Sequence, residues 1–133
     1  MSNLEIYKKI FALETIAVVG LSHKKNRASR QVSSYMKING FKIIPVNPNY
    51  KSINGYRCYE RLNQIKQKID IVNIFRNSIF AYSIVEEAIS INASAIWMQD
   101  GVHSIEAFNL ANKNNTMVVM NDCLMRRHIE IFR

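Results

Sequence analysis

The stretch Thr15–Pro48 decides the fold of this chain. It reads T-I-A-V-V-G at residues 15–20, L-S-H-K-K-N-R-A-S-R at 21–30 and, after a helix-like run, F-K-I-I-P-V-N-P at 41–48. An apolar strand, a basic turn, a helix and a second apolar strand form a βαβ unit. In open α/β sheets, ligands bind at the carboxyl ends of the strands. We therefore expect a phosphate-bearing ligand over Gly20–Ser29.

Beyond this unit, short apolar strands continue to alternate with helical patterns. Further strands are predicted at Tyr56–Cys58, Ile69–Phe75, Ala93–Met98 and Thr116–Met120. Pro45 cannot donate to a sheet ladder, so we expect its neighbour in the sheet to be short. Strands that alternate with helices favour a parallel sheet. Right-handed crossovers then predict a doubly wound α/β sheet with strand order 3-2-1-4-5-6.

Apolar spacing and capping residues predict the helices. The first, over Asn3–Leu13, packs residues 1–14 onto the domain, and Ser29 is a candidate N-cap for a second helix that ends at Gly40. The others are a brief helix at Tyr59–Lys66, one capped by Ser78 with Tyr82, Val85, Ala88 and Ile89 on its inner face, and one at Ser104–Lys113. A basic tail is expected from Arg126.

Composition is typical of a globular protein, with 48% hydrophobic and 21% charged residues. We expect one domain over residues 1–133. No apolar run approaches the roughly 18 residues of a membrane span, and the N-terminal segment lacks the apolar core of a signal peptide. A cytoplasmic location is expected. Cys58 and Cys123 lack metal-ligand spacing and are expected to be reduced, buried thiols.

The net charge of +8 is concentrated in one part of the chain. Between His23 and Arg76 there are twelve Lys or Arg residues and two acids, whereas the remaining segments carry six basic and eight acidic residues. Such a field attracts an anion, either nucleic acid or a phosphorylated cofactor. Nucleic acid is disfavoured, because no basic strand face with interleaved aromatics and no recognition helix is evident.

The predicted topology brings four strand ends together. These are Gly20-Leu21-Ser22, Val46-Asn47-Pro48, Phe75-Arg76 and Gln99-Asp100-Gly101. A phosphate over the first turn would meet backbone N–H groups, the hydroxyls of Ser22 and Ser29, and the positive end of the helix. Arg27 and Lys24 or Lys25 would neutralise it from one side, and Arg76 from across the crevice.

The glycine pattern discriminates between nucleotides. Of the G-x-G-x-x-G fingerprint for NAD only Gly20 is present, since Ser22 and Lys25 occupy the other glycine positions. The second strand ends in Asn47 rather than an acid, with Lys51 close behind. This disfavours NAD and tolerates a nucleotide with an additional ribose phosphate, meaning NADP or coenzyme A. No residue stands out as a hydride-transfer acid or base, which ranks NADP second.

Several blocks in order carry a resemblance to a known family. They are V-V-G-L-S-x-x-x-x-R-x-S-x-x-V-x-x-Y, N-G-F-K-I-I-P-V-N-P-N-Y, G-Y-R-C-Y, D-I-V-N-I-F-R, W-M-Q-D-G and V-V-M-N-D-C. Over about Thr15–His128 the chain resembles the small stand-alone CoA-binding proteins, which are similar to the CoA-binding domain of the succinyl-CoA synthetase α subunit. The resemblance implies a Rossmann-like domain that binds coenzyme A or an acyl-CoA without evident catalysis of its own.

The resemblance also implies a set of cofactor-binding residues. The diphosphate would be held by Gly20, Ser22, Arg27 and Ser29, with Lys25 and Asn26 in the same loop. The adenosine part would be flanked by Val46, Asn47, Pro48 and Lys51. The rest of the crevice would be lined by Phe75, Arg76, Gln99 and Gly101.

Two departures from the family pattern concern the loop and the C-terminus. Family members often have a proline where this chain has Lys24-Lys25, which predicts a more flexible loop. The family pattern D-R-C-x-x-x-E-H appears here as Asn121-Asp122-Cys123 with Arg127-His128. The charge reversal at Arg127 removes any role that would depend on a glutamate there.

Catalytic and metal-binding functions find little support in the sequence. Cys123 and His128 are five residues apart, but no pattern places a base or cation beside either thiol. His23 and His103 have no partner at metal-ligand spacing. The alternative to a CoA-binding module is an NADP-dependent oxidoreductase or another nucleotide-binding regulatory protein. An acyl-CoA ligase would need a nucleotide-grasping domain, for which the chain is too short.

Overall fold

A five-stranded parallel sheet with helices on both faces forms the centre of the fold, in a computed structural model that describes residues 2–133. The strands are β1 (Thr15–Val19), β2 (Lys42–Val46), β3 (Ser52–Ile53), β4 (Tyr56–Arg57), β5 (Ile71–Ile74), β6 (Ala95–Met98) and β7 (Met117–Val119). The helices are α1 (Asn3–Phe11), α2 (Ala28–Ile38), α3 (Ala81–Ser90), α4 (Ile105–Lys113) and α5 (Leu124–Phe132). The sheet order is β2-β1-β5-β6-β7. The predicted doubly wound, Rossmann-like α/β class is confirmed.

The sheet separates two apolar layers. On one face, Ile10, Val32, Met36 and Leu124 from α1, α2 and α5 pack with the Trp97 side of the sheet. On the other, the core side chains of α3 and α4, namely Val85, Ala88, Ala107 and Ala111, pack with the opposite side. Every residue of β1, β5 and β6 is buried. Such strands are apolar without alternation because helices cover both of their faces.

The predicted third strand does not join the sheet. Tyr56–Arg57 instead pairs antiparallel with Ser52–Ile53 in a two-residue hairpin. Asn54 and Gly55, at the turn, both have positive φ, which is the conformation of the favoured hairpin turn. Only Tyr59 reaches the sheet, through a single parallel bridge to Val46. The sheet therefore has five strands, and the predicted order 3-2-1-4-5-6 is wrong at its first position.

Pro45 lies where its missing N–H is harmless. The Lys42 N–H donates to the carbonyl of Glu14, towards β1, whereas the Asn47 N–H donates to Tyr59 on the outer side. Because N–H directions alternate along a strand, the Pro45 nitrogen faces the outer edge. The neighbour there is the single bridge at Tyr59. The neighbour is short, as expected, but Tyr59 provides it rather than the predicted strand Tyr56–Cys58.

Several predicted helix ends are wrong. The helix α2 begins at Ala28 with Arg27 in the N-cap position, so Ser29 is inside the first turn. Asn77, rather than Ser78, caps the 3₁₀ turn Ser78–Phe80 that precedes α3. The brief helix predicted at Tyr59–Lys66 is a 3₁₀ turn at Leu62–Gln64. Tyr82, predicted to face inward, is 43% exposed, and its neighbour Ala81 is buried instead.

The basic tail predicted from Arg126 is helix α5. Leu124 and His128 are buried, and Ile131 packs against the same cluster, which is helical spacing. This helical pattern is not evident in the sequence, because its middle position is His128 rather than an apolar residue. Within residues 2–133 no helix is both long and apolar enough to cross a bilayer.

Candidate functional site

The ends of β1 and β5 meet at Gly20, where two backbones pass very close to each other. Gly20 has a φ of +94°, and a Cβ atom there would lie 2.5 Å from the carbonyl oxygen of Phe75. The Phe75 N–H donates a 2.8 Å hydrogen bond to the carbonyl of Val19. Both the backbone conformation and the available space therefore require glycine at this corner. The corner lies at the switch point of the sheet, where ligands of α/β proteins bind.

The loop after Gly20 folds back onto the first turn of α2. The Ser22 N–H donates to Ser29 Oγ at 3.0 Å, and the Lys24 N–H donates to Ser22 Oγ at 3.1 Å. The Arg27 N–H donates to the carbonyl of Lys24 at 3.2 Å. Both serine oxygens thus accept bonds from the loop itself, and each hydroxyl keeps its hydrogen for a further acceptor.

The N-terminus of α2 is open. Arg27 makes no side-chain capping bond, and the first turn contains no acidic residue. Among the described residues, the N–H groups of Ala28 and Ser29 donate to no protein acceptor. They belong to a cleft of about 220 Å³, the first cleft, lined by Gly20, Ser22, Arg27, Ala28, Ser29 and Phe75. Free N–H groups at a helix N-terminus attract an anion.

The predicted basic residues have no acidic partners, and one of them, Arg27, lines this cleft. Lys25, Arg27 and Lys51 are exposed, as is Asn26 in the same loop, while Arg76 is half-buried. None of these cations forms an ion pair within residues 2–133. The Arg76 guanidinium instead lies 4.4 Å from the centre of the Phe80 ring. Their uncompensated charge favours a polyanionic ligand.

A second cleft of about 300 Å³ lies on the α3 side of the same strand ends. Val19, Val46 and Pro48 line it from the sheet, and Arg76 and Phe80 line it from the segment before α3. Because Phe75 lines the first cleft and Arg76 the second, the two clefts adjoin across the end of β5. Apolar strand ends opposite an aromatic ring and a guanidinium suit a planar base.

Asn47 fastens the first loop to the end of β2. Its Nδ2 donates to the carbonyl of Leu21 at 3.0 Å, and its Oδ1 accepts from the Asn49 N–H at 2.9 Å. Leu21 is buried, so this bond fixes the loop against the sheet. The observed role of Asn47 is to position the loop, and its contact with a ligand stays a prediction.

Gln99 and Gly101 are not brought together with the other predicted residues. The Gln99 side chain is only 3% exposed, and its Oε1 accepts from the Leu124 N–H at the start of α5. The Gly101 N–H donates to Asn121 Oδ1. Neither residue lines the first or the second cleft, and the same is true of Lys25, Asn26, Asn47 and Lys51. Their assignment to the cofactor stays a prediction.

Sequence reasoning missed Phe80. It lines the second cleft, and the Arg76 guanidinium lies over its ring. From the sequence, its segment was interpreted only as the start of a helix. The available signal was an aromatic residue four positions after an arginine at a strand end. Leu62 and Glu87 were also missed because they reach the cleft from separate elements.

A larger groove, of about 660 Å³, runs along the outer edge of β7 between α1 and α4. Its one basic side chain, Arg127, is tied to Asp122 at 2.6 Å and to Glu130 at 2.8 Å. No open helix terminus lines it. The groove therefore lacks the donors and free charge that distinguish the first cleft.

The cysteines and the buried histidine lie outside both clefts. Cys58 and Cys123 are free and buried, and burial raises the pKa of the Cys58 thiol. Burial, with a smaller contribution from Arg133, lowers the pKa of His128, whose Nδ1 lies 2.8 Å from the Tyr35 hydroxyl. Among the described residues no group of three His, Cys, Asp or Glu side chains is arranged to hold a metal ion.

The chain matches a known protein family over most of its length. The family model for the CoA binding domain matches residues 14–129. This chain belongs to that family. The match covers both clefts and every element from β1 to most of α5, so the resemblance seen in the sequence blocks is confirmed.

Two curated relatives differ in how much of their length is shared. The uncharacterized protein YneT of Bacillus subtilis is 35% identical over 127 residues, which covers 96% of this chain and 94% of YneT. An ADP-forming acetate–CoA ligase of Methanocaldococcus jannaschii is 24% identical over 128 residues, covering 89% of this chain and 18% of the ligase. This chain thus corresponds to one region of that larger enzyme.

Solved structures agree closely with this fold. A hypothetical protein from Pyrococcus horikoshii OT3 has a TM-score of 0.94 at 30% identity and covers 100% of this chain and 94% of its own. A Thermus thermophilus protein has a TM-score of 0.92 at 25% identity, with 99% of this chain and 100% of its own covered.

The departure from the family pattern at the C-terminus is an exchange of charges. Where the pattern has Arg followed by Glu, this chain has Asp122 followed by Arg127. Arg127 Nε lies 2.6 Å from Asp122 Oδ2. The two departures therefore complement each other, and the substitution at Arg127 has a structural explanation in this ion pair.

Proposed function

We propose that this protein binds coenzyme A with the cofactor's diphosphate at the N-terminus of α2. The observation that carries the proposal is the open helix terminus, where the N–H groups of Ala28 and Ser29 lack acceptors beside Gly20. Arg27 and the hydroxyl hydrogens of Ser22 and Ser29 supply further donors at the same cleft. An anion at this site meets partial positive charge, backbone donors and a guanidinium together.

The adenosine part occupies the second cleft in this proposal. Val46 and Pro48 provide an apolar wall, and Arg76 with Phe80 provides the opposite wall. Lys51, exposed just beyond the end of β2, neutralises the ribose 3′-phosphate that distinguishes coenzyme A from dephospho-coenzyme A. Lys25 and Asn26 form the outer rim of the phosphate site.

The protein acts as a binding module rather than as an enzyme in this proposal. Neither cleft, in the part of the chain that the structure describes, is lined by a histidine or a cysteine. Of the two acids that line the second cleft, Glu60 and Glu87, the latter lies on α3 and is held by Arg61 at 3.1 Å and by the Asn63 N–H. The free state of Cys58 and Cys123 fits a cytoplasmic location.

Calorimetric titration with coenzyme A, dephospho-coenzyme A, NADP, NAD and ATP tests the proposal. We expect coenzyme A to bind most tightly, and Arg27→Ala and Arg76→Ala each to weaken it about tenfold, because each removes a charge-assisted hydrogen bond. The loss should diminish as salt is added. Lys113→Ala, at the far end of α4, is the matched control and should leave the affinity unchanged.

The 3′-phosphate has its own comparison. Lys51→Ala should reduce the preference for coenzyme A over dephospho-coenzyme A by up to about fivefold, the worth of an exposed ion pair. An unchanged preference would refute the assignment of Lys51. Tighter binding of NADP than of coenzyme A would favour the oxidoreductase alternative, and unchanged affinity in both arginine variants would refute the placement at α2.

A further inference from the structure

A third cleft, of about 390 Å³, lies between the 3₁₀ turn Ser78–Phe80 and the start of α4. Its floor is a connection between the loops after β5 and β6. Ser78 Oγ donates to the Gly101 carbonyl at 3.2 Å and accepts from the His103 N–H at 2.8 Å. Ser104 then caps α4 by accepting from the Ala107 N–H. These bonds fix both walls of the cleft relative to each other.

Two apolar side chains exposed to solvent line the third cleft, together with Ser78, His103, Ser104 and Glu106. Ile79 is 79% exposed on one wall and Ile105 is 58% exposed on the other. Phe80 and Tyr82, in the same chain segment as Ile79, are exposed as well. These four account for four of the nine exposed large apolar side chains of residues 2–133. Their concentration at one edge of the fold indicates a surface that an apolar group covers.

The third cleft continues the proposed cofactor site. The 3₁₀ turn Ser78–Phe80 contributes Phe80 to the second cleft and Ser78 and Ile79 to the third. In coenzyme A the diphosphate lies between the adenosine and the pantetheine arm. With the adenosine beside β2 and the diphosphate at β1, the arm is directed across β5 towards β6. These two strand spacings amount to about 10 Å, which the extended arm spans.

We propose that the third cleft receives the acyl group of an acyl-CoA thioester, and that this group is an uncharged aliphatic chain. The inference rests on the proposed function, because the cofactor's orientation sets the direction of the arm. Ile79 and Ile105 then cover the acyl chain on two sides and remove its methylene groups from water. Glu106, at the rim of the same cleft, disfavours acyl groups that end in a carboxylate.

Competition calorimetry with coenzyme A and its acetyl, butyryl, hexanoyl and succinyl thioesters tests this assignment. We expect affinity to rise with chain length, by about twofold for each methylene that is partly buried, so that hexanoyl-CoA binds at least about tenfold more tightly than coenzyme A. Succinyl-CoA should bind more weakly than butyryl-CoA.

Variants separate the acyl site from the nucleotide site. Ile79→Ser and Ile105→Ser should abolish the dependence on chain length while leaving the affinity for coenzyme A itself within about twofold. Ile38→Ser is the matched control, since Ile38 is 84% exposed on α2 and lines none of the three clefts. It should preserve the full chain-length dependence.

The outcomes distinguish this inference from the proposed function. If no CoA compound binds, the proposed function fails. If coenzyme A binds but chain length has no effect, or if the serine variants retain the effect, the acyl assignment is overturned while the nucleotide site stands. The apolar side chains would then belong to a surface for a protein partner.

Discussion

The N-termini of α2 and α5 lie at the same edge of the sheet but are completed in opposite ways. At α5, the Leu124 N–H donates to Gln99 Oε1 and the Cys123 N–H donates to Asp122 Oδ1. Neither helix has a side-chain cap or an acid in its first turn, but at α2 the N–H groups of Ala28 and Ser29 have no acceptor and the N-cap residue is the cation Arg27. At the start of α5 the protein itself supplies an acceptor for the Leu124 N–H, whereas at the start of α2 it supplies none for the N–H groups of Ala28 and Ser29. This difference is the basis of the site proposed at α2.

The start of α5 also joins distant parts of the chain, through Asp122. The Asp122 carboxylate accepts from the Tyr7 hydroxyl at 3.2 Å, from Arg126 at 2.9 Å and from Arg127 at 2.6 Å. The Asp122 carbonyl accepts from the buried Trp97 Nε1 at 2.8 Å. One buried residue, through its carboxylate and its backbone carbonyl, thereby connects α1, β6 and α5.

The largest expected effect comes from adding a side chain at Gly20, the backbone corner beside the N-terminus of α2. Gly20→Ala should lower the free energy of unfolding by about 3 kcal/mol, because it adds a clash with the Phe75 carbonyl to the strain of a positive φ. Urea denaturation measures the change. Gly40→Ala is the control, since Gly40 has a φ of +97° with no atom within 4 Å of the added Cβ. Its cost should be about 1 kcal/mol, and equal costs would show that the close approach is unimportant.

The interactions at the start of α5 can be weakened by replacing Asp122. Asp122→Asn should lower the free energy of unfolding by about 2 kcal/mol, since it weakens hydrogen bonds that a buried carboxylate makes to Arg127 and to Tyr7. The same variant should change the affinity for coenzyme A by less than about twofold. A large loss of affinity with little loss of stability would reverse the roles assigned to the two helix ends.

A capping residue can be introduced at the N-terminus of α2. Arg27→Asp places a good capping residue at the N-cap of α2 and should raise the free energy of unfolding by about 1 kcal/mol. The new carboxylate should weaken binding of coenzyme A by about 100-fold, because it replaces a cation at the phosphate site. Arg27→Asn caps the helix without the charge and should lose less affinity. A destabilised Arg27→Asp variant would contradict the description of this terminus as uncapped.

The smallest effect concerns the contact between the two helices. His128 of α5 bonds Tyr35 of α2 and lies against the rings of Phe11 and Phe132, in surroundings that lower its pKa. Since the folded protein holds this proton less well than the unfolded chain, stability should be full above about pH 6.5 and fall as the pH decreases through the lowered value. His128→Phe should show a shallower decrease between pH 7 and 5 in urea denaturation. An unchanged slope would mean that other groups govern it.

The sequence predicted the fold class and the main elements because their patterns are local. T-I-A-V-V-G and D-I-V-N-I-F-R are apolar runs of strand length, and β1 and β5 lie within them. The second predicted helix is also present as α2, with Val32 and Met36 buried against the sheet. These features follow from residue spacing on a single element.

The errors occurred where the partner of a segment had to be identified. Tyr56–Arg57 has strand character, but the turn at Asn54-Gly55 directs it to a local hairpin instead of the sheet. The segment from Arg126 was interpreted as a tail because its charges are evident in the sequence, whereas their partners Asp100 and Asp122 appear only in the folded protein. Local composition does not contain that information.

The sequence by itself determined the alternating strands and helices, the glycine corner at Gly20 and the excess of basic residues around it, because each depends on residue type and spacing along the chain. The tertiary structure alone decided which donors remain free. Gln99 and Asn47 satisfy backbone groups of other segments, whereas Ala28 and Ser29 are left without acceptors. Whether a donor is satisfied depends on what the fold places opposite it, and for this reason we propose the ligand site at α2, where the cation Arg27 lies beside the unsatisfied donors.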